Sequence, residues 1–96
     1  MQVSIRYFTV LREITGKKEE VIVFPEKQKV TVALTLETLS EKYGKSFIDY
    51  VFDSKGQIKN FLQLLINGAS IVSDDKLELI LQNGDTLIIL PPVGGG

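Results

Sequence analysis

The stretch Thr31–Gly44, TVALTLETLSEKYG, decides the fold because it predicts one long amphipathic helix. Its apolar residues Val32, Leu36, Leu39 and Tyr43 are spaced by four, three and four positions, which places them on one helical face. Threonine at the start and glycine at the end of the stretch are typical helix-capping residues. Full burial of each apolar side chain contributes roughly 1.5–3 kcal/mol, so this face is expected to pack on a sheet.

The residues before this helix predict a β-hairpin. Alternating apolar and polar residues indicate a half-buried strand from about Val3 to Val10. The segment Thr15–Lys18 is typical of a turn, and Glu20–Phe24 predicts a second strand that returns antiparallel to the first.

The residues after the helix predict a short helix and then more β structure. Ser46–Asp49 has the Ser-x-x-Asp pattern of a helical turn, with Phe47, Val51 or Phe52 as its buried residues. The next elements are expected to be a strand at Phe61–Ile66, a hairpin turn at Asn67-Gly68, a partner strand at Ala69–Val72, a helical turn at Leu77–Leu81 and a final strand at Thr86–Leu90. The near-continuous apolarity of the last strand indicates a position in the middle of the sheet.

These elements predict an α+β protein with two layers, in which a mixed sheet packs on one main helix. Two hairpins flank the helical connection, which is the arrangement of the β-grasp, or ubiquitin-like, fold. We expect one β-grasp domain over residues 1–90 and an extended tail over residues 91–96.

Composition excludes several classes of site. The chain has 96 residues, and its 11 Lys and Arg against 12 Asp and Glu give a net charge of −1, which argues against non-specific binding to nucleic acid or anionic lipid. There is no Cys and no His, which removes disulfides, Cys/His metal sites and the usual catalytic triads. The longest apolar run is far too short to span a membrane, and arginines interrupt the N-terminal segment. We therefore expect a cytoplasmic protein with no catalytic side chain of its own and no bound metal or cofactor.

The end of the chain, Leu90–Gly96, is the most unusual segment. Pro91 and Pro92 restrict the backbone to extended conformations, so the tail is expected to project from the domain. Glycines have no side chain, so Gly94, Gly95 and Gly96 can pass through a narrow channel and present a terminal carboxylate to another protein. The alternative interpretation is that the three glycines are a cloning linker or a frayed chain end without a function.

A docking patch beside the tail is a second hypothesis. Phe8 lies on the polar face of the first strand, and Leu90 has the opposite parity to its apolar neighbours in the last strand. Phe8, Leu90 and Ile71 are the predicted apolar members of the patch, although single exposed apolar residues are common on protein surfaces. Arg12 is a candidate partner contact, although a solvated arginine is the commoner role.

Several of these segments resemble the small subunit of molybdopterin synthase, a ubiquitin-like sulfur carrier. They are the opening Ile5–Glu13 (IRYFTVLRE) with Gly16, the helix residues Thr31–Ala33, Leu36 and Leu39–Gly44, and the C-terminal segments Ile66–Gly68, Asn83–Asp85 and Leu90–Gly96 (LPPVGGG). The similarity covers nearly the whole chain. Departures occur at Leu34, where the family often has Glu, at Ile71–Leu81, which is longer than usual, and at Lys45–Asn60, which has no match.

The resemblance implies a function for Gly96. An adenylyltransferase related to the ubiquitin-activating enzymes would use ATP and Mg to convert its carboxylate to an acyl-adenylate, and a sulfur donor protein would convert that to a thiocarboxylate. The tail residues Pro91, Pro92, Val93, Gly94 and Gly95 would then enter the active site of the large synthase subunit, which uses the sulfur for the molybdopterin dithiolene. The catalytic residues would belong to these partners.

Two other functions are consistent with the same sequence. A lysine amine could attack the adenylated Gly96 and form an isopeptide conjugate, as in ubiquitin-like protein modifiers. A plain binding module with an inert tail is the third possibility, and it predicts that removal of Gly95 and Gly96 changes nothing.

Overall fold

The computed structural model describes residues 1–71 and 75–92. In chain order its elements are β1 (Gln2–Arg6), α1 (Val10–Thr15), β2 (Glu19–Val23), α2 (Val32–Tyr43), α3 (Lys45–Val51), β3 (Gln63–Ile66), β4 (Ala69–Ser70), a 3₁₀ turn (Lys76–Glu78) and β5 (Thr86–Leu90). None of the helices in this part of the chain is long and apolar enough to cross a membrane.

The strands form one mixed sheet in the order β2-β1-β5-β3-β4. The first and last strands, β1 and β5, are parallel neighbours, whereas the other three pairs are antiparallel. The helices pack on one face of this sheet. The predicted α+β class and β-grasp architecture are confirmed, as is the central position of the last strand.

The core lies between α2 and the neighbouring strands β1 and β5. Its fully buried members include Val3, Ile5 and Tyr7 from the start of the chain, Val32, Leu36 and Leu39 from α2, and Leu87 and Ile89 from β5. These are the residues that the alternation of the first strand and the apolar face of the helix predict. Tyr43, the last residue of that face, is only partly buried.

The N-terminal hairpin differs from the sequence prediction. The predicted continuation of the first strand to Val10 is wrong: β1 ends at Arg6, and the short helix α1 follows. Leu11 and Thr15 lie four residues apart and are both buried, so the helix covers the core with one face. Gly16 ends α1 with a φ of 74°, a left-handed conformation that glycine adopts without steric strain.

The C-terminal half follows the predicted order, and β5 has the predicted bounds, whereas β3, β4 and the helical turn are shorter than predicted. Asn67 and Gly68 have φ values of 52° and 85°, which is the conformation of a tight hairpin turn between β3 and β4. Strand β4 has two residues, and Val72 at the end of its predicted range lies outside the described residues. Helix α3 buries Phe47 and Val51 as predicted.

Among the residues that the structure describes, one charged side chain, Glu20 of β2, is buried. Its carboxylate accepts hydrogen bonds from the hydroxyls of Tyr7 at 2.6 Å and Tyr43 at 2.5 Å, and from Nζ of Lys42 at 2.7 Å. Lys17 Nζ lies 3.5 Å away. The carboxylate therefore links the end of the first strand, β2 and the last turn of α2.

The network changes the pKa values of its members. Burial favours the neutral form of Glu20, but hydrogen bonds from Lys42, Tyr43 and Tyr7 outweigh it and lower the pKa from 4.5 to about 2. Burial, reinforced by the neighbouring carboxylate, raises the pKa of Tyr7 above its usual range. Glu20 is therefore ionised at neutral pH, and its charge is compensated by Lys42.

Replacing Glu20 by Gln is expected to destabilise the fold. The substitution keeps the shape of the side chain but replaces the carboxylate, which accepts from three donors, by a neutral amide. Removing the charge of a buried, hydrogen-bonded ion pair lowers the free energy of unfolding by about 2–4 kcal/mol. Urea unfolding at pH 7, followed by circular dichroism, measures the difference. The control is Glu19→Gln at the exposed neighbouring position, which should change stability by less than about 0.5 kcal/mol. Equal stability of the two variants would contradict the role of the network.

Stability is also expected to fall in acid. Because folding lowers the pKa of Glu20, its contribution is fully present above 4.5 and is lost as the pH falls from 4.5 towards 2. The loss is at most about 3 kcal/mol, and it should be absent in Glu20→Gln. Urea unfolding of both proteins at a series of pH values between neutral and acid provides the comparison, and parallel curves would contradict this assignment.

Candidate functional site

The candidate site is the end of the sheet from which the tail leaves the domain. Strand β5 ends at Leu90, and Pro91 and Pro92 follow outside any strand, the first half-buried and the second exposed. Proline has no N–H to donate, so pairing with β3 stops there. Val93, Gly94, Gly95 and Gly96 lie outside the described residues, and what the sequence predicts for them stays a prediction.

The face of the sheet that points away from the helices leads to this end. We call it the outer face, and it consists of Glu19 and Val21 of β2, Ser4 and Arg6 of β1, Thr86, Ile88 and Leu90 of β5, and Gln63 and Leu65 of β3. Leu87 and Ile89 are buried on the opposite side, so Ile88 and Leu90 face outwards and are half-buried.

Phe8 and Leu90 lie at the same end of the outer face. The parallel register of β1 and β5 pairs Arg6 with Ile88, and Phe8 and Leu90 each come two residues later. The ring of Phe8 is half-buried and lies 6.0 Å from the guanidinium of Arg6, which confirms that it is on the outer side of the sheet. The structure thus brings together two of the predicted docking residues.

Arg12 is held beside Phe8 by α1. Its Nε donates a hydrogen bond to the carbonyl oxygen of Tyr7 at 2.9 Å, and its guanidinium lies 5.1 Å from the centroid of the Phe8 ring. At an exposed site such a cation–π contact contributes about 0.5–1 kcal/mol. The chain reaches this position through Thr9, whose φ of 44° is unusual for a β-branched residue and turns the backbone from the strand into α1.

Ile71 is not part of this cluster. Ser70 pairs with Leu65 and shares its outward orientation, so the next residue points to the other side of the sheet. Ile71 packs against the core, and its backbone N–H donates to the carbonyl oxygen of Leu64 at 2.9 Å. It lies beyond β3, on the side of the sheet away from Phe8.

Sequence reasoning missed two apolar residues, Ile88 and Leu65, that continue the outer face from Leu90. The alternation within the last strand could have identified Ile88, since it shares the parity of Leu90. Leu65 is revealed only by the register of β3 with β5, which pairs it with Ile88. Together they extend an apolar strip from the tail towards β4.

The chemistry of this end is that of a docking surface. It combines half-buried apolar side chains with the guanidinium groups of Arg6 and Arg12, and Nε of Arg6 lies 4.0 Å from the Glu19 carboxylate. Within residues 1–71 and 75–92, no group of three or more acidic side chains is placed to hold a metal ion. The side chains described at this end are suited to contact with another protein surface.

Comparison with known proteins places this arrangement among carriers and modifiers. Residues 5–96 match the ThiS family. Small archaeal modifier protein 3 of Haloferax volcanii is 30% identical over 96 residues, which is 100% of both chains. The molybdopterin synthase sulfur carrier subunit of Homo sapiens is 30% identical over 95 residues, which is 99% of this chain and 94% of that protein. The solution structure of small archaeal modifier protein 1 from Methanosarcina acetivorans has a TM-score of 0.76 and 32% identity, and the match covers 99% of this chain and 96% of that one.

Alanine substitutions in β5 should separate its two faces. Leu87→Ala removes a fully buried side chain and is expected to lower the free energy of unfolding by about 2–5 kcal/mol. Leu90→Ala removes a half-buried side chain on the outer face and should lower it by less than about 1.5 kcal/mol. Urea unfolding gives both values. An equal loss in the two variants would place Leu90 in the core and remove it from the docking surface.

Proposed function

Because this chain belongs to the ThiS family of ubiquitin-like sulfur carriers, we propose that it carries sulfur as a thiocarboxylate on Gly96. The observation that carries the proposal is the position of Leu90 and the two prolines, at the end of a central strand and at the same end of the sheet as Phe8 and Arg12. A tail that starts there leaves the domain beside a surface suited to docking.

Activation of the carboxylate is the first step of the proposed cycle. A carboxylate is a poor acyl donor because it has no good leaving group. In the active site of an adenylyltransferase, an oxygen of the Gly96 carboxylate attacks the α-phosphorus of ATP, bound with Mg, and pyrophosphate leaves. This chain binds neither ATP nor metal itself, and its contribution is to present the tail.

Sulfur enters in the second step. The terminal sulfur of a persulfide on a donor protein attacks the acyl carbon and AMP leaves. A further thiol then cleaves the sulfur–sulfur bond of the acyl disulfide, which releases the thiocarboxylate and a disulfide. The absence of Cys and His from the sequence fits a division of labour in which the partners supply these groups.

The proposed acceptor is the large subunit of molybdopterin synthase, which would use the sulfur to build the dithiolene of molybdopterin. The 30% identity with the human molybdopterin synthase sulfur carrier subunit over nearly the full length of both chains supports this assignment. In this complex Phe8, Arg12 and Leu90 would contact the large subunit, while the glycines would reach its active site.

A protein modifier is the second candidate. It is favoured by the full-length match to small archaeal modifier protein 3 and by the solved structure of a modifier protein with 32% identity. Both functions need the adenylated Gly96, and they differ in the nucleophile that accepts the acyl group: a persulfide in one case and a lysine amine in the other.

Removal of Gly95 and Gly96 is expected to abolish function without unfolding the domain. The purified chain is incubated with ATP, Mg, the activating enzyme of its host and a sulfur donor, and its intact mass is recorded. The full chain should gain the mass of one oxygen exchanged for sulfur, and the shortened chain should gain nothing while keeping its circular dichroism spectrum. Conjugates on other proteins with an unchanged free mass would instead support the modifier, and an inert full chain beside an active control carrier would exclude both functions.

A further inference from the structure

An aromatic cluster outside the predicted docking residues lies between α3 and β3. The ring of Phe61 is 46% exposed and makes an edge-to-face contact with Tyr50, with centroids 6.1 Å apart. Lys59 Nζ lies 5.8 Å from the centroid of the same ring and donates to the carbonyl oxygen of Asp49. The ring is thus held in place by its neighbours while nearly half of it stays accessible, which is a typical property of aromatic residues that anchor interfaces.

The strand register places this cluster at the tail end of the sheet. Gln63 of β3 pairs with Leu90 in the antiparallel ladder, so Phe61 and Pro92 each lie two residues beyond that pair at the same end. Phe8 and Arg12 lie at this end too, on the β1 side of β5. An aromatic ring with a cation above it therefore stands on each side of the point where the tail begins.

The length of the tail determines which surface a partner must cover. Four residues separate Pro92 from the reacting carboxylate of Gly96, and four extended residues span at most about 14 Å. A catalytic centre that reacts with Gly96 therefore lies within about 14 Å of Pro92. An enzyme whose active site is this close must contact the end of the domain on both sides of the tail.

We propose that Phe61, supported by Tyr50 and Lys59, is a docking contact for the enzyme that activates Gly96, and that it forms the second side of a surface begun by Phe8 and Arg12. The proposal rests on the proposed function for the identity of the partner. The complementary surface has an apolar pocket for the ring and acidic side chains opposite Lys59 and Arg12. A second copy of this chain fits less well, because contact through this end would bring like charges together.

Substitution of Phe61 tests the proposal through binding and activation measured separately. Phe61→Ala is compared with wild type and with Val23→Ala, a matched control because Val23 is 69% exposed and pairs with Gln2 at the opposite end of the sheet. Binding of the activating enzyme is measured by calorimetry without ATP, and adenylate formation by ATP–pyrophosphate exchange. We expect Phe61→Ala to weaken binding and raise KM for the chain by about tenfold or more, with little change in kcat. Val23→Ala should stay within about twofold of wild type.

A third variant separates a loss of binding from a loss of folding. Phe61→Leu retains an apolar side chain but loses the ring, and thermal unfolding identifies which variants remain native. Weaker binding by a native variant at Phe61, with Val23→Ala unaffected, supports the proposal. Wild-type binding by a native Phe61→Ala overturns it, and Phe61→Leu decides in the same way only where Phe61→Ala does not fold.

The same measurements distinguish failure of the docking contact from failure of the proposed function. If wild type binds the enzyme but is not adenylated, and Phe61→Ala loses binding, the docking contact stands and the proposed activation of Gly96 is wrong. If wild type is adenylated and both Phe61 variants behave as wild type, the function stands and the docking contact is wrong. If wild type neither binds nor is adenylated, both are wrong.

Discussion

The parallel pairing of β1 with β5 is the constraint on which the rest of this structure depends. Parallel neighbours cannot be joined by a tight turn, so the chain between them must leave the sheet, cross it and return. Helices α2 and α3 make the crossing and cover one face, and the hairpin of β3 and β4 extends the sheet beyond β5. The pairing also places the end of β1, which Phe8 follows, beside the end of β5, where the tail begins, since parallel strands finish at the same end of the sheet.

This geometry separates the two tasks of the proposed function, recognition of a partner and presentation of the reacting group. A rigid surface for recognition is built from the ends of three neighbouring strands, where Phe8 follows β1, Phe61 precedes β3 and Leu90 closes β5. The reacting group that we propose is a carboxylate a few residues further along the chain. In the function that we propose, the domain binds different enzymes through one end and offers each of them the same terminal residue, while the partners supply the catalytic side chains.

Local patterns in the sequence predicted the parts of the fold that repeat with the period of a strand or a helix. The alternation that ends at Tyr7 and the apolar face of α2 identified most of the core. Helix α1 was missed because the residues after Tyr7 fit a strand equally well, and the turn into the helix depends on an unusual backbone conformation at Thr9. The candidate site was predicted in part: parity indicated that one set of β5 residues faces outwards, whereas the contribution of Leu65 and the position of Phe61 follow from strand register, which connects residues far apart in sequence.

The buried carboxylate of Glu20 affects the strand register of the first hairpin. Side chains alternate along a strand, so a slip of β2 by one residue would turn Glu20 and Ile22 to the solvent side and would turn Glu19, Val21 and Val23 inwards. Such a slipped hairpin would still bury apolar side chains, and hydrophobicity alone would discriminate against it only weakly. A slip that places Val21 opposite Ile5, where Glu20 now lies, would however leave the hydroxyl of Tyr7 without its acceptor. Within residues 1–71 and 75–92, Glu20 is the buried charged side chain, and it disfavours a misaligned pairing that a wholly apolar strand would tolerate.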